Sequence, residues 1–237
     1  MTRRRFIADE VSGDRAALTG EHAGHLVRVL RARVGEEFDI AAGSTVRRGR
    51  ITGLADDRVE FELGENVSLV TPVHFTLLLA VFKFDRMEWA IEKCTELGVM
   101  RIVPVIARRT ESHLASAAAA RVERWRRIVL QAAEQSRRDA APEIPAPLPL
   151  SQALSVAGGL CVVLSESESQ TLLRDVFTPA ANPGEITLAV GPEGGWTGDE
   201  LERFQHGGWI PASLGAMILR AETAAIAAAA IALSALA

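Results

Sequence analysis

A run of glycines in the last third of the chain could bring a bound molecule close to the backbone. Gly191-Pro192-Glu193-Gly194-Gly195 follows Ile186–Val190, an apolar segment with the composition of a buried strand. Because glycine has no side chain, the amides and carbonyls of such a loop can approach a ligand closely. The spacing matches neither the GxGxxG of dinucleotide-binding loops nor a P-loop, which ends in GKS or GKT. A ligand-binding loop and a tight turn without a ligand are both compatible with it.

Two isolated charges form the second candidate. Arg220 and Glu222 stand alone between apolar residues in the segment Gly215–Thr223. A charged side chain in such surroundings is rarely buried without a partner. The pattern therefore fits a structural ion pair, including one between these two residues. It fits equally well an arginine that contacts a substrate.

Other polar clusters are weaker candidates. Gln135-Ser136-Arg137-Arg138 closes a predicted helix, where positive charge also suits the helix dipole. His22 and His25 lie close together without a cluster of acidic or cysteine residues, so we expect no metal site. No arrangement of Ser, His and Asp, or of Cys and His, indicates a hydrolase.

Composition indicates an ordinary folded protein. The chain has 237 residues, of which 48% are hydrophobic and 24% charged. Cys94 and Cys161 form no CxxC pair, and Met1-Thr2-Arg3 does not begin an apolar signal segment, so we expect reduced thiols in a cytoplasmic protein rather than a disulfide. The apolar end from Ala224 to Ala237 is shorter than the roughly 20 residues of a membrane span and predicts a tightly packed buried helix.

Charge is distributed unevenly along the chain. Its net charge is −1 in residues 1–70, +4 in 71–139 and −7 in 140–237, which together give −4. Such asymmetry favours a polyanionic partner on one face, with solvated surface charge as the alternative. Three basic clusters lie in the first segment: Arg3-Arg4-Arg5, then Arg28, Arg31 and Arg33, then Arg47, Arg48 and Arg50.

Residues 1–70 have the pattern of a small β-rich domain. The segments Glu37–Ala41, Arg47–Thr52 and Arg58–Leu63 have strand-like composition and are separated by turn residues. The composition changes after Thr71-Pro72. We therefore expect a second domain over residues 72–237.

This second region alternates predicted strands and helices, which is typical of a mostly parallel sheet in an α/β domain. Ligands of such sheets bind beyond the carboxyl ends of the strands, where Ser165–Gln170, Gly191–Gly195 and Gly215–Leu219 are expected. The predicted strands are Phe75–Phe82, Ile102–Ile106, Leu160–Leu164, Ile186–Val190 and Trp209–Leu214.

Helix boundaries are predicted from capping residues. Asp85 with Glu88, and Thr197 with Glu200, have the spacing of a capping box. Gly98 is predicted to end the first of these helices as a C-cap glycine. A long helix is predicted over about Ala117–Arg138 and ends before Pro142 and Pro145.

Five groups of residues, taken in order, carry a resemblance to a known family. They are Arg4-Arg5-Phe6 with His25–Arg31; Lys83–Met87 through Glu96–Val99 with Pro104 and Arg109; Ala133–Arg138 with Pro142; Gly191–Gly195; and Leu214–Ala224. In these segments the chain resembles the RsmE family of ribosomal RNA uridine-N3 methyltransferases, within the SPOUT superfamily. The resemblance spans nearly the whole chain, and the order of five motifs makes it specific.

The resemblance implies a fold and an activity. It implies a trefoil-knotted α/β SPOUT domain at 72–237, a rare exception to the rule that chains do not thread loops. A PUA-like β-barrel that binds RNA is implied at 1–70. The implied reaction is methyl transfer from S-adenosylmethionine to N3 of a uridine in 16S ribosomal RNA, by a homodimer with its site near the subunit interface. The partner is this RNA or the small ribosomal subunit, and neither a metal nor a membrane is expected.

Site residues also follow from the resemblance. Arg220 is expected to contact the substrate, with Glu222 and Thr223 supporting its loop and Glu193 organising the glycine loop. The residues expected to bind S-adenosylmethionine, largely through backbone groups, are Leu164, Ser165, Glu166, Val190, Gly191, Pro192, Glu193, Gly194, Gly195, Leu214, Gly215, Met217, Ile218 and Leu219. Those expected to bind RNA are Arg3, Arg4, Arg5, Arg28, Arg31, Lys83, Arg86, Arg109, Gln135 and Arg138.

Two positions depart from the family pattern. Met217 stands where members usually carry arginine, and Arg137 where they usually carry glycine. Any contact that the arginine makes is absent here, and we expect the cofactor site to tolerate Met217 if backbone atoms do the binding. Two alternative functions are an RNA-binding or ribosome-assembly protein with an inactive cofactor site, and a nucleotide-binding α/β enzyme unrelated to RNA. The intact glycine loop argues against the first, and the basic clusters of the N-terminal segment argue against the second.

Overall fold

A computed structural model of the chain describes residues 5–42, 45–67, 73–136, 138, 140–177 and 184–235, with Arg5 described by its backbone. Of the residues singled out above, Arg3, Arg4, Thr71, Pro72 and Arg137 lie outside this set. The chain divides into two compact units, residues 1–72 and 73–237. Each is described by itself.

The first unit is built on one mixed β-sheet. In the described residues its order is β1-β4-β5-β6-β3-β2, in which β1 and β4 are parallel and the other pairs antiparallel. The three predicted strands are confirmed as β4, β5 and β6, each somewhat longer than predicted. The elements are β1 (Arg5–Ile7), β2 (Glu10–Ser12), β3 (Arg15–Thr19), helix α1 (Gly20–Gly24), a π-helical turn (His25–Val29), β4 (Glu37–Ala42), β5 (Thr45–Ala55) and β6 (Arg58–Asn66).

Apolar side chains of this sheet and of the π-helical turn form a single core. Leu18, Leu26, Ile40 and Phe61 are buried in it. The turn holds Leu26 in the core and leaves Arg28 exposed. Arg31 follows the turn with a positive φ of 52°, a backbone conformation that non-glycine residues seldom adopt.

The second unit contains the parallel sheet that the alternating pattern predicts. Within the described residues the strand order is β12-β10-β11-β7-β8-β9, and every neighbouring pair is parallel. The elements are β7 (His74–Ala80), α2 (Phe84–Leu97), β8 (Arg101–Ile106), α3 (Ser112–Gln135), β9 (Leu148–Pro149), α4 (Leu150–Ser155), β10 (Leu160–Leu164), α5 (Leu173–Val176), β11 (Glu185–Val190), α6 (Gly198–His206), β12 (Ile210–Ala212) and α7 (Ala221–Ala235).

Both faces of this sheet are covered, which explains its uninterrupted apolar strands. In β7, Leu77 and Leu79 belong to one hydrophobic cluster, whereas Leu78 and Ala80 belong to the other. Successive side chains of a strand point to opposite faces, so each strand needs apolar residues at every position.

The helix boundaries correct part of the sequence prediction. The capping box of Thr197 and Glu200 is confirmed at the start of α6. The box of Asp85 and Glu88 is wrong: α2 begins at Phe84 without a side-chain cap. The carboxylate of Glu88 instead accepts hydrogen bonds from Arg124 Nε and Nη2 at 2.7 and 2.8 Å.

Other boundaries differ by a few residues. Gly98 ends α2 in the left-handed conformation, as predicted. Helix α3 begins at Ser112 instead of Ala117 and ends at Gln135 instead of Arg138.

The alanine-rich end of the chain forms the buried helix α7. Ala225, Ala228, Ala229 and Ala232 are fully buried and belong to the same core as α2, against which α7 packs. Small side chains allow these two helices to approach closely. Among the helices that the structure describes, none combines the length and the apolar composition needed to cross a bilayer.

Both cysteines are free. Burial raises the pKa of the Cys94 thiol to about 12.

Candidate active site

A cavity of about 560 Å³ lies at the carboxyl ends of three adjacent strands of the parallel sheet. The loops that follow β10, β11 and β12 form most of its wall, since the carboxyl ends of neighbouring parallel strands meet at one edge. All fourteen residues predicted to bind a cofactor line this cavity. The structure thus brings three segments that are far apart in sequence to one place.

The glycine loop, Gly191–Gly195, is held from two sides. Arg109 Nη1 donates to the carbonyl oxygens of Gly194 at 2.6 Å and of Trp196 at 3.2 Å. The amide of Lys83 donates to Glu193 Oε1 at 3.5 Å, which agrees with an organising role for Glu193. These contacts restrain the loop from both sides within the described structure.

The geometry of this loop favours glycine at two positions. Gly195 has a φ of +68°, and its amide closes a tight turn by donating to the Pro192 carbonyl at 2.8 Å. A side chain at Gly191 would place Cβ 3.3 Å from Trp196 Nε1. Trp196 itself lines the cavity, and no hydrogen-bond partner of its buried Nε1 is found in the described part of the chain.

The loop after β10 is tied to the end of β12. The Ser165 amide donates to the Ala212 carbonyl at 3.0 Å, which holds the first and third loops together. The hydroxyls of Ser165 and Ser167 share a hydrogen bond of 2.8 Å and offer polar atoms at the cavity wall.

The third loop, Leu214–Leu219, projects outward. Gly215 begins it with a φ of +119°, and its amide donates to Ser213 Oγ at 3.1 Å. The apolar side chains of Met217 and Ile218 are 79% and 80% exposed. The loop therefore carries side chains at the rim of the cavity that make little contact with the rest of the chain.

Arg220 and Glu222 have different surroundings. Arg220 is exposed and lines the cavity, and no described residue forms an ion pair or hydrogen bond with its guanidinium. Glu222 is 4% exposed, and its Oε1 lies 3.8 Å from Arg86 Nε. The interpretation of Arg220 and Glu222 as an ion pair with each other is therefore wrong, because Arg86 occupies that place.

The other predicted contacts are dispersed. Arg86 and Arg109 line the cavity, Lys83 lies exposed at the start of α2, and Thr223 lies exposed on α7. Gln135 and Arg138 do not line the cavity.

Arg138 has a structural role in the described chain. Its Nη1 donates to the carbonyls of Thr95 and Val99 at 2.6 and 2.7 Å, next to the end of α2. Partial burial lowers the pKa of this guanidinium.

Sequence reasoning missed two features of the site. It did not include Trp196, although this residue directly follows the glycine run. It also did not foresee that Arg109 would bind the glycine loop, because that contact joins segments distant in sequence. Among the described residues, no group of three or more His, Cys, Asp or Glu side chains is placed to hold a metal.

Comparison with known proteins decides the family. The model of an RNA methyltransferase domain matches residues 70–233. A ribosomal RNA small subunit methyltransferase E of Synechocystis sp. is 37% identical over 216 residues, which cover 87% of this chain and 69% of that protein. The chain belongs to the RsmE family of RNA methyltransferases.

Two solved structures of methyltransferases are similar to this chain over nearly its whole length. A ribosomal RNA small subunit methyltransferase E of Neisseria gonorrhoeae, bound to S-adenosyl methionine, is 32% identical, covers 97% of this chain and 96% of its own, and gives a TM-score of 0.60. A methyltransferase of Legionella pneumophila in complex with the bound cofactor SAM is 28% identical, covers 99% and 98%, and gives a TM-score of 0.63.

Proposed function

We propose that this protein transfers a methyl group from S-adenosylmethionine to N3 of a uridine in 16S ribosomal RNA of the small subunit. The observation that carries the proposal is the meeting of three loops at one cavity, with an unpaired arginine beside it. The names of the relatives, small-subunit ribosomal RNA methyltransferases, support the RNA substrate. The resemblance described above supports N3 of uridine as the acceptor.

The cavity fits S-adenosylmethionine. Its volume of about 560 Å³ is within the roughly 300–1,000 Å³ typical of small-molecule sites. Leu164, Val190 and Leu214 offer apolar wall, whereas the glycine loop offers backbone polar groups without side chains in the way. Trp196 Nε1 is a buried donor beside Gly191 that still lacks an acceptor in the described residues.

When bound, the cofactor supplies a methyl group on a positively charged sulfur. The protein has to present an N3 atom that can accept it. Neutral uridine carries a proton on N3, so the lone pair becomes a good nucleophile only as that proton leaves. The resulting negative charge spreads to the two flanking carbonyl oxygens. Arg220 is permanently charged and can donate to such an oxygen.

The exposure of Arg220 suits this role. Its guanidinium is already at the cavity and is not engaged by any described carboxylate. N3 lies on the Watson–Crick edge, so the base must be unpaired or flipped out before it enters, at a cost of a few kcal/mol. Thr223 lies in the first turn of α7, shortly after Arg220, and we propose that it supports the segment that carries this arginine.

Nucleoside mass spectrometry tests this function. Small-subunit RNA from a strain that lacks the gene should lack N3-methyluridine, and purified protein with S-adenosylmethionine should restore it. RNA that keeps all its N3-methyluridine in that strain would refute the proposal.

The proposal extends to the domain architecture. Residues 72–237 form a SPOUT domain with a trefoil knot, and residues 1–70 form a PUA-like domain that binds RNA. The exposed cation Arg28 and the unusual backbone at Arg31 support an RNA-binding role for the first unit. Changing Arg28 and Arg31 to glutamate should weaken RNA binding and reduce its salt dependence while cofactor binding persists. Unchanged RNA affinity would exclude the first unit as the RNA platform.

We further propose that the protein acts as a homodimer. The exposed apolar side chains Met217 and Ile218, at the rim of the cavity, support a partner subunit near the site. Substitution of Ala225 or Ala229 is not a suitable test, because both are buried in the core of a single chain. Sedimentation of the wild-type protein at micromolar concentration tests the proposal, and an active monomer would refute it.

A further inference from the structure

Glu222 is a buried carboxylate that the described residues satisfy only in part. It lies in the first turn of α7 and is buried, and its Oε2 has no hydrogen-bond partner among the described residues. Its Oε1 is 3.8 Å from Arg86 Nε, which is an ion-pair distance but too long for a hydrogen bond. A buried carboxylate with one unsatisfied oxygen costs free energy that a neutral side chain of the same shape avoids. The start of a helix favours a negative charge, but it leaves Oε2 without a partner among the described residues.

Arg86 connects this carboxylate to the cavity. It lies in the first turn of α2, its side chain is 33% exposed, and it lines the cavity together with Arg220. No described residue accepts a hydrogen bond from its guanidinium. Glu222 thus holds a negative charge behind a guanidinium whose donors remain available to a ligand.

We propose that Arg86 is a second cationic contact for the target base, and that Glu222 is the residue that positions it. This inference rests on the proposed function. A uridine that loses its N3 proton carries negative charge on O2 and O4, which lie on opposite sides of N3. Two guanidinium groups lining one cavity can stabilise both oxygens, Arg220 at one and Arg86 at the other. A permanently charged, planar donor group suits this task.

The chemical step balances without a further reagent. The N3 proton is released to water, and the N3 lone pair forms the new bond to the methyl carbon. The bond between that carbon and sulfur breaks, and its electron pair stays on sulfur. The charge on O2 and O4 disappears as the neutral methylated base forms. Arg86 and Arg220 thus stabilise charge that exists only between proton loss and methyl transfer.

The burial of Glu222 favours a positioning role over direct proton transfer. A general base must come within about 3 Å of the proton that it removes. Oε2 is buried, and Glu222 does not line the cavity, whereas Arg86 does. The carboxylate therefore acts on the base through Arg86.

Single-turnover methylation with saturating RNA and S-adenosylmethionine tests the proposal. The variants are Arg86→Ala, Glu222→Gln and their combination, with Arg124→Ala as the control. Arg124 also pairs with a carboxylate, that of Glu88, but it does not line the cavity. Arg86→Ala should lower the rate by roughly 10²-fold, as removal of a charge-stabilising donor does in other enzymes. Glu222→Gln should cause part of that loss, and Arg124→Ala none.

Two further readouts separate positioning from a structural role. In the Arg86→Ala background, Glu222→Gln should cause no additional loss, because its effect passes through Arg86. The melting temperature of the Glu222→Gln single variant should equal or exceed that of the wild type, since a buried unsatisfied charge is removed. The rate of Arg86→Ala should reach its plateau at higher pH than the wild type, because the guanidinium no longer favours loss of the N3 proton.

The outcomes are distinct from those for the proposed function. Wild-type protein that does not methylate uridine in small-subunit RNA refutes that function itself. An active wild type with a normal rate and pH profile in Arg86→Ala overturns the present inference. Additive losses in the double variant would overturn the positioning role and identify Glu222 as acting on the base independently.

Discussion

Two loops line the same cavity with opposite physical characters. The glycine loop, Gly191–Gly195, is fixed by Arg109 on one side and by the Lys83 amide on the other. The loop Leu214–Leu219 projects outward, and its Met217 and Ile218 side chains are almost fully exposed. The first loop offers backbone groups in a rigid frame, whereas the second offers side chains at the rim and ends at Arg220.

This difference indicates a division of work. A fixed backbone can recognise a cofactor without the entropy cost of ordering it at each binding event. A projecting loop with exposed side chains can meet a large substrate such as RNA. We therefore expect substitutions in the glycine loop to change cofactor affinity and substitutions at Arg220 to change the rate.

Replacing Arg220 with alanine should have the largest effect. Because the guanidinium stabilises charge on the deprotonated base, its loss should lower single-turnover methylation by roughly 10²–10³-fold. Cofactor affinity and the melting temperature should remain unchanged, since no described residue depends on this side chain. Lysine should rescue only part of the rate, because it lacks the planar fork. A wild-type rate in Arg220→Ala would contradict a catalytic role for Arg220.

Replacing Gly195 with valine should weaken cofactor binding, which the account assigns to the glycine loop. Its φ of +68° is strained for a β-branched residue, although the added Cβ would meet no heavy atom within 4 Å. A strain of about 1–3 kcal/mol corresponds to a loss of S-adenosylmethionine affinity of roughly 5- to 150-fold if the loop changes shape. Gly198→Val is the matched control, because Gly198 has open space and an ordinary φ. Calorimetry that finds equal affinities for both variants would contradict a backbone-based site.

Replacing Arg109 with alanine should have a smaller effect. The variant loses the hydrogen bonds to the Gly194 and Trp196 carbonyls, so one side of the glycine loop is no longer held. We expect the binding free energy of the cofactor to weaken by about 1.5 kcal/mol, which is roughly 10-fold in affinity. Arg108→Ala is the control, because the side chain of Arg108 is exposed, adjoins Arg109 in sequence and does not line the cavity. If RNA affinity falls in Arg109→Ala while cofactor affinity does not, Arg109 belongs with the RNA contacts instead.

Introducing an arginine at position 217 should have the smallest effect. Met217→Arg adds a cation to an exposed position at the rim, so RNA should bind a few-fold more tightly and the salt slope should steepen by about one phosphate contact. Cofactor affinity should not change. Met217→Gln serves as the neutral control, and filter binding over a salt series measures both variants.

The parts of the fold that were predictable are those with local causes. The strands β8, β10 and β11 are buried on both faces, so their apolar runs were visible in the sequence. The box of Thr197 and Glu200 formed because both residues lie within one turn of helix. Asp85 and Glu88 have the same spacing, but Arg124 on α3 takes the Glu88 carboxylate instead. Local spacing cannot reveal such a tertiary competitor.

The same distinction between local and tertiary causes applies to the site. Its three loops were predictable, because each follows a buried strand and parallel strands end at one edge. The burial of Glu222 beside Arg86 was not predictable, and an ion pair with the nearby Arg220 was one of the open alternatives. That arrangement depends on how α2 and α7 pack, which the sequence pattern does not encode directly.

The rate of single-turnover methylation, measured over a range of S-adenosylmethionine concentrations for Gly195→Val and Arg220→Ala, tests the central claim most directly. The account predicts that Gly195→Val shifts half-saturation to higher cofactor concentration and largely retains the limiting rate. It predicts that Arg220→Ala keeps the half-saturation point and lowers the limiting rate by roughly 10²–10³-fold. The same pattern in both variants, or the two effects exchanged, would contradict the division between the two loops.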